Sequence, residues 1–365
     1  MTDGETQVVA ATAMPAAYPA GEAEQPSLEG IIRNQIVSLR SHYLAVMETG
    51  DVEAIHRMRV TTRRLQASVD LLLSNGRQSQ KDKTERYVRK LKKQLRKWRR
   101  KLSRVRNYDV FLILIEREIN SRKSAHRENY ELLKAILNQQ REAHVEKVRR
   151  GLQGIEIEAI AKRLGIDIEA PPAEAGDAAR GGPDGQETTL DQAALAAQAI
   201  LSDKRRIELR AAQRLEQRIA EFHALAAQAH ATTHPEDLHQ LRIAAKRIRY
   251  LLEILTQLGV GKPDRPLVWL RSLQNRIGDW HDLEALEEEI IAILSQPGFL
   301  KEHLSESSHV LQAASHLQKK KTALVSRLFP IKVPKHLMTS SQRLIRTLRR
   351  SAAASTDHST TVEHT

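Results

Sequence analysis

The chain has 365 residues with 58 Lys/Arg against 45 Asp/Glu, a formal net charge of +13, and no cysteine. Without Cys there are no disulfide frameworks, thiolate metal centres, Fe–S clusters or Cys nucleophiles. The 3 Trp, 6 Tyr and 4 Phe are too few for rows of rings that stack on single-stranded bases, so a polyanionic partner without bases fits better.

In chain order, residues 1–27 are rich in Ala, Thr and Pro without a core pattern and read as a disordered tail. They lack a basic region followed by an apolar run, and nothing approaches the ~18–20 apolar residues of a membrane span, so the expected protein is soluble, unexported and cytoplasmic, with no membrane partner. Apolar residues then recur at helical spacing over 28–47, 52–73, 88–105, 110–119 and 132–148. Residues 165–189 collect Pro, Gly, Ala and acids and read as a flexible linker. Helical spacing resumes over 190–225, 238–258, 267–277, 283–294, 304–328 and 344–348, and 351–365 reads as a second disordered tail. Strand-like alternation is missing. The expected fold class is all-α, with a first helical bundle over 28–164 and a second, with a C-terminal helix, over 190–350.

The positive charge is concentrated. Residues 51–110 hold 19 Lys/Arg and 6 Asp/Glu, and the other 305 residues carry 39 of each sign. Within 81–106, Val88, Leu91, Leu95, Trp98, Leu102 and Val105 recur at spacings of 3 and 4, one narrow apolar stripe on an otherwise basic helix. Such a run is often a solvated tail, but the stripe indicates packing on one side.

The two halves resemble each other. Residues 56–72 (HRMRVTTRRLQASVDLL) align without gaps to 239–255 (HQLRIAAKRIRYLLEIL), with four identities and seven conservative pairs, and 101–112 align to 276–287 in the same order. Duplication of one unit explains both blocks and predicts two bundles related by a pseudo-two-fold axis. His56, Arg59, Arg63 and Arg64 share one helix face opposite Met58, Thr62, Leu65, Val69 and Leu72. His239, Arg242, Lys246 and Arg247 repeat that face opposite Leu241, Ala245, Ile248, Leu252 and Leu255. Like charges at i,i+3 and i,i+4 cost a helix roughly 0.2–0.5 kcal/mol per pair unless an anion compensates. Any one of these cations could be a solvated residue; the set, kept at matching positions with few nearby acids, points to a bound anion. Imidazole beside Arg can donate to phosphate, although His56 and His239 are equally suited to structural hydrogen bonds. Lys101/Arg276 and Arg106/His281 are duplicated as well. Lys93, Lys97, Arg100 and Arg104 lie opposite the apolar stripe but align with Val268, Ser272, Asn275 and Asp279, so they rank as a secondary electrostatic patch.

The motifs H-x-M-R-V-x-T-R-R-L at His56 and H-x-L-R-I-x-x-K-R-I-R at His239, followed by R-N-Y-D-V at Arg106 and H-D-L-E at His281, resemble the CHAD domain, the conserved histidine α-helical domain. The resemblance spans roughly 28–340 and implies two four-helix bundles with pseudo-two-fold symmetry. It further implies a basic central surface that binds inorganic polyphosphate, and recruitment to polyphosphate granules. On that resemblance His56, Arg59, Arg63 and Arg64, with His239, Arg242, Lys246, Arg247 and Arg249, are the core binding residues. Gln66 departs from the pattern opposite Arg249, and Asn107 opposite Asp282. The acid-rich triphosphatase domain sometimes joined to CHAD is not seen, so the resemblance gives no reason to expect hydrolysis. Arg forks and Lys point charges suit a polymer of phosphates.

Other readings carry less. His281-Asp282 could begin a metal phosphohydrolase dyad, but its aligned pair is Arg106-Asn107, and further ligands are wanting. His230 and His234 sit at i,i+4 ahead of Pro235, a helix boundary rather than a zinc site, and His309 and His316 lie two helical turns apart. No Gly-rich phosphate loop occurs. The sequence thus predicts a binding protein, not an enzyme, with no metal or cofactor. The main alternative is nonspecific DNA or RNA binding through phosphates, for which no helix-turn-helix, zinc finger or RNA-recognition pattern is present. Recruitment of granule-associated proteins through the tails is compatible with polyphosphate binding.

Overall fold

The computed structural model of the chain describes residues 26–73, 83–121, 127–168, 195, 198–232, 235–302 and 304–360. No strand occurs among them, and the fold is all-helical. The helices are α1 (Leu28–Glu48), α2 (Val52–Asp70), α3 (Lys83–Ile119), α4 (Arg127–Leu152), α5 (Glu158–Leu164), α6 (Lys204–Thr232), α7 (Pro235–Gln257), α8 (Asp264–Leu294), α9 (Pro297–Glu302), α10 (Leu304–Leu328) and α11 (Lys335–Thr360). No helix among the described residues is long and apolar enough to cross a membrane.

The turn that launches α2 is encoded locally. Ser27 caps α1 by accepting from the Gly30 amide at 3.1 Å, and Asp51 caps α2 by accepting from the Ala54 amide at 2.6 Å. Between the two helices Gly50 adopts φ +62, and a Cβ there would come within 2.6 Å of Val145. Only glycine both tolerates that backbone and lets α4 approach. From this start the apolar stripe of α2 enters the core: Met58, Thr62, Leu65, Val69 and Leu72 are fully buried, as are Leu241, Ala245, Ile248, Leu252 and Leu255 on α7. Burying each large apolar side chain contributes roughly 1.5–3 kcal/mol. The opposite faces, which carry the cations, are thereby fixed in direction.

Segments expected as separate helices, 88–105 with 110–119 and 267–277 with 283–294, are continuous in α3 and α8. Tyr108 and Trp280 are buried and carry the apolar seam across the polar residues that had suggested a break. At ~1.5 Å per residue, α3 is about 55 Å long and α8 about 46 Å. Each therefore serves two cores. The larger core takes Val88, Leu95 and Trp98 of α3 and Leu270, Ile277 and Trp280 of α8, together with α1, α2, α6, α7 and α11. The smaller takes Phe111, Ile115 and Ile119 of α3, Leu133 and Leu137 of α4, Leu286 and Ile290 of α8, and Val310 and Leu317 of α10. Both cores draw on residues from either side of 165–189. The described residues of 26–168 and 195–360 form one unit, in which α2 packs against α7 and α3 against α8.

Three boundaries differ from expectation. Within 190–225 the helix is interrupted at Asp203, whose carboxylate accepts from the Arg206 amide at 2.9 Å and starts α6. The short α5 and α9 were not apparent from periodicity, being only 7 and 6 residues long. Residues 351–360, expected to be a tail, continue α11: Ala352 is buried, and Ser351 donates to Glu208 at 2.9 Å. The expected tail over 1–25, the greater part of the 165–189 linker, residues 361–365, and the side chains of His230, His234 and His309 lie outside the described residues.

Candidate anion-binding cavity

Five helices enclose a cavity of about 920 Å³. Its walls are His56, Arg59, Arg63, Gln66 and Asp70 from α2; Lys92, Arg96, Arg99, Ser103, Arg106 and Asn107 from α3; Arg214, Arg218 and Glu221 from α6; His239, Arg242, Lys246, Arg247 and Tyr250 from α7; and His281 and Asp282 from α8, with a few apolar residues. Eleven Lys/Arg thus face three acids.

The acids are unevenly placed. Asp70, buried, binds Lys92 and also Arg214 at 3.0 Å and Arg218 at 2.9 Å, so one carboxylate ties α2, α3 and α6 together. Those cations hold its carboxyl below the usual range despite burial, which acts in the opposite sense. Arg214 also donates to the Leu73 carbonyl at 3.0 Å, and Arg210 donates to the Leu71 and Leu72 carbonyls, so α6 closes the C-terminus of α2. Glu221 pairs with Arg247 at 2.8 Å. This side of the cavity is compensated and structural.

The remainder is less so, with Asp282 offsetting part of the Arg242 charge but forming no ion pair. Among the described residues, Arg59, Arg63, Arg96, Arg99, Arg242 and Lys246 make no ion pair with a carboxylate. Arg59 is held in place by the Arg99 carbonyl at 3.1 Å and by Ser103 Oγ, and Arg99 by Gln66 Oε1 at 2.9 Å. Arg242 lies over Gly278, where an added Cβ would come within 3.2 Å of its Nη2, so glycine on α8 makes room for the guanidinium. Arg99 Nη1 and Arg242 Nε are buried without a hydrogen-bond partner. Anchored cations with spare donors make a preorganised anion site.

The family model for the CHAD domain matches residues 30–290. The chain belongs to the CHAD domain family. Two solved structures share the fold. A crystal structure of the CHAD domain from the plant Ricinus communis aligns at 18% identity and a TM-score of 0.54, over 86% of this chain and 96% of that one. PptA from Streptomyces chartreusis aligns at 15% identity and a TM-score of 0.50, over 90% of this chain and 99% of that one. No curated protein matches the chain.

In this CHAD chain nine of the thirteen principal site residues expected from sequence line the cavity: His56, Arg59, Arg63, Arg106, His239, Arg242, Lys246, Arg247 and His281. Four do not. Arg64 is exposed outside the cavity, and Arg249 lies 4.8 Å over the Tyr250 ring and 3.6 Å from Glu253. Lys101 donates to the Gly151 carbonyl in the last turn of α4, and Arg276 donates to the Arg327 and Leu328 carbonyls, at 2.6 and 3.3 Å, at the end of α10. Each of the two aligned residues caps a helix C-terminus, where a cation offsets the carbonyl end of the dipole. Accordingly, Lys101→Ala and Arg276→Ala are each expected to lower unfolding free energy by about 1–2 kcal/mol. Urea denaturation measures the loss, and affinity for an anionic ligand of the cavity should change less than about twofold.

Of the secondary patch, Lys93, Lys97 and Arg100 line a smaller cavity, whereas Arg104 lines neither. Sequence reasoning overlooked Lys92, Arg96, Arg99, Arg214 and Arg218. Arg96, Arg99, Ser103 and Arg106 do share a helical face, at i, i+3, i+7 and i+10, flanking the apolar stripe rather than opposing it. Of the two departures, Gln66 anchors Arg99, while Asn107 and Asp282 both face the cavity. The His281 ring lies 5.2 Å from that of His239, and His316 sits 3.6 Å from Glu118, away from the cavity.

Crowding of cations shows in their acidities. Burial, then Arg63, Arg106 and Arg99, pushes Arg59 down to about 9, and burial followed by Arg63 brings Arg99 to about 10. Lys246 falls to about 6 through burial and then Arg63, Arg242, Arg249 and Arg59. His281 falls to about 4 through burial, Arg242, His239 and Lys246, and His56 is lowered by burial and Arg106. Burial and mutual repulsion thus favour loss of protons from Lys246, His281 and His56, and a nearby polyanion would act in the opposite sense.

Proposed function

We propose that the cavity binds inorganic polyphosphate and that the protein associates with polyphosphate granules, acting by binding rather than catalysis. The observation that carries this reading is that six cations from both halves of the sequence, without carboxylate partners, converge on one cavity. Apart from its three histidines, Tyr250 is the one aromatic among its described wall residues, and Arg249 already covers that ring. Repeated phosphates without bases match such a lining, which offers no row of Phe, Tyr or Trp rings for base stacking. Membership of the CHAD family supports the same ligand, and the pairing of α2 with α7 and α3 with α8 supports descent of the halves from one duplicated bundle, with the cavity on the pseudo-two-fold axis.

Nonspecific nucleic-acid binding is the alternative. A duplex presents its phosphates on a broad convex surface and would reach the exposed Arg64, Lys93, Lys97, Arg100 and Arg104 rather than the half-buried Arg59 or Lys246. Titration of the purified protein with long-chain polyphosphate, tripolyphosphate, ATP and duplex DNA over a salt series separates the two. Long-chain polyphosphate should bind most tightly, because one chain can engage both faces and gain effective concentration from the second, and its affinity should fall steeply with salt. Equal affinity for tripolyphosphate, or tighter binding of DNA, would contradict the proposal.

A further inference from the structure

A second cavity, of about 590 Å³, lies along the outer face of α3 and is lined by Lys93, Gln94, Lys97 and Arg100 together with Arg63, Arg96, Arg99 and Ser103. The last four also line the central cavity, so the two spaces share a wall and the cations are continuous from one to the other. No acid lines the outer cavity. Lys93, Lys97 and Arg100 are exposed and, among the described residues, unpaired with any carboxylate. Arg99, between the two spaces, keeps its buried Nη1 without a partner.

The other long helix offers nothing equivalent. Opposite Lys93, Lys97 and Arg100 it carries Val268, Ser272 and Asn275, with Val268 64% exposed. Opposite Arg96 it carries Arg271, which lies 3.7 Å from Glu253. The central cavity is built from both halves, and among the described residues the cationic lining continues along α3 but not at the aligned positions of α8.

We infer that the outer cavity is a second phosphate-binding subsite, occupied by the stretch of a polyphosphate chain that emerges from the central cavity past Arg63 and Arg99, so that the polymer leaves the protein on the α3 side. This rests on the central cavity being the polyphosphate site and adds to it a direction and a length preference. A chain too short to reach beyond Arg63 and Arg99 gains nothing from the outer subsite, whereas a longer chain pairs with Lys93, Lys97 and Arg100 at high effective concentration.

The test compares wild type with Lys93→Ala/Lys97→Ala/Arg100→Ala, in which alanine preserves helix propensity at exposed positions. The control is Arg343→Ala/Arg346→Ala/Arg350→Ala, which removes the same charge from the exposed face of α11. Calorimetric titrations use tripolyphosphate and long-chain polyphosphate at physiological ionic strength. The α3 variant should lose about tenfold in affinity for the long chain and less than about twofold for tripolyphosphate, while the control loses less than about twofold for either. Unchanged long-chain affinity, an equal loss for both ligands, or an equal loss in the control would overturn the outer subsite. Wild-type protein that bound neither ligand would instead overturn the central site, and the inference with it.

Discussion

Replacing Lys246 with Met and Arg63 with Gln is expected to make the free protein more stable and a far weaker polyphosphate binder. Neither side chain has a carboxylate ion pair, and burial among guanidinium groups makes both costly in the empty cavity: Lys246 is driven to give up its proton, and Arg63 crowds Arg59 and Arg99. Met retains the apolar stem of Lys while removing the ammonium. Removing this cost should add about 0.5–2 kcal/mol to the unfolding free energy and raise the thermal midpoint by a few degrees. Loss of two charge-assisted contacts at a desolvated site should weaken long-chain polyphosphate binding by about a hundredfold or more. The compensated side of the same cavity should respond oppositely. Asp70→Asn leaves Lys92, Arg214 and Arg218 facing one another and should cost about 3–5 kcal/mol of stability. Thermal denaturation paired with titration reads both variants. A destabilised Lys246→Met/Arg63→Gln protein with wild-type affinity would mean that these cations serve the fold rather than a ligand.

The second large effect is on pH. Lys246 is faced by Arg59 and Arg63 from α2, by Arg242 and Arg249 from its own helix, and by His281 and Asp282 from α8. Burial and the four guanidinium groups bring it to about 6 in the free protein, against about 10.5 in an unfolded chain. Over that window the unfolded state holds the proton and the folded state does not, so this group makes the free protein more stable as pH rises from 6 towards 10. A bound polyanion reverses the local potential and restores the proton. Binding should therefore take up about one proton at pH 7.5, and affinity should fall with rising pH by up to about tenfold per unit. His281 and His56, both lowered in the free cavity, contribute in the same sense at lower pH. Burial raises the Asp282 carboxyl, and a polyanion pushes it further that way, again towards proton uptake. Lys246→Arg keeps its charge throughout and should flatten the profile above pH 6. Calorimetry in buffers of different ionisation enthalpy measures the uptake; none in the wild type, or an unchanged profile in Lys246→Arg, would remove Lys246 from the site.

What could be read beforehand follows from how local each feature is. The stripes of α2 and α7 were legible because helical period alone separates Leu65 from Arg63 and Ile248 from Lys246, and burial of one face dictates where the other points. The continuity of α3 and α8 was hidden because Tyr108 and Trp280 each carry a single apolar link across a polar stretch. The internal sequence repeat picked out Arg59 with Arg242, which line the cavity, yet it flagged Lys101 with Arg276 equally strongly, since a matching residue type can mark a helix cap as readily as a cavity wall. Arg249 looked like its neighbours until Tyr250 and Glu253 took it. The role of Arg214 and Arg218 depends on Asp70, more than 140 positions earlier, and no local pattern announces that contact. Arg96 and Arg99 were within reach of a wheel drawn on the flank of the stripe, and were overlooked in favour of the face farthest from the core.

A crystal structure of the protein bound to long-chain polyphosphate tests the shared cavity most directly. It should show a single chain with phosphate oxygens within hydrogen-bonding distance of Arg59 and Arg63 from one half and of Arg242 and Lys246 from the other. Phosphates confined to the exposed Lys93, Lys97 and Arg100, with the central cavity empty, would contradict it.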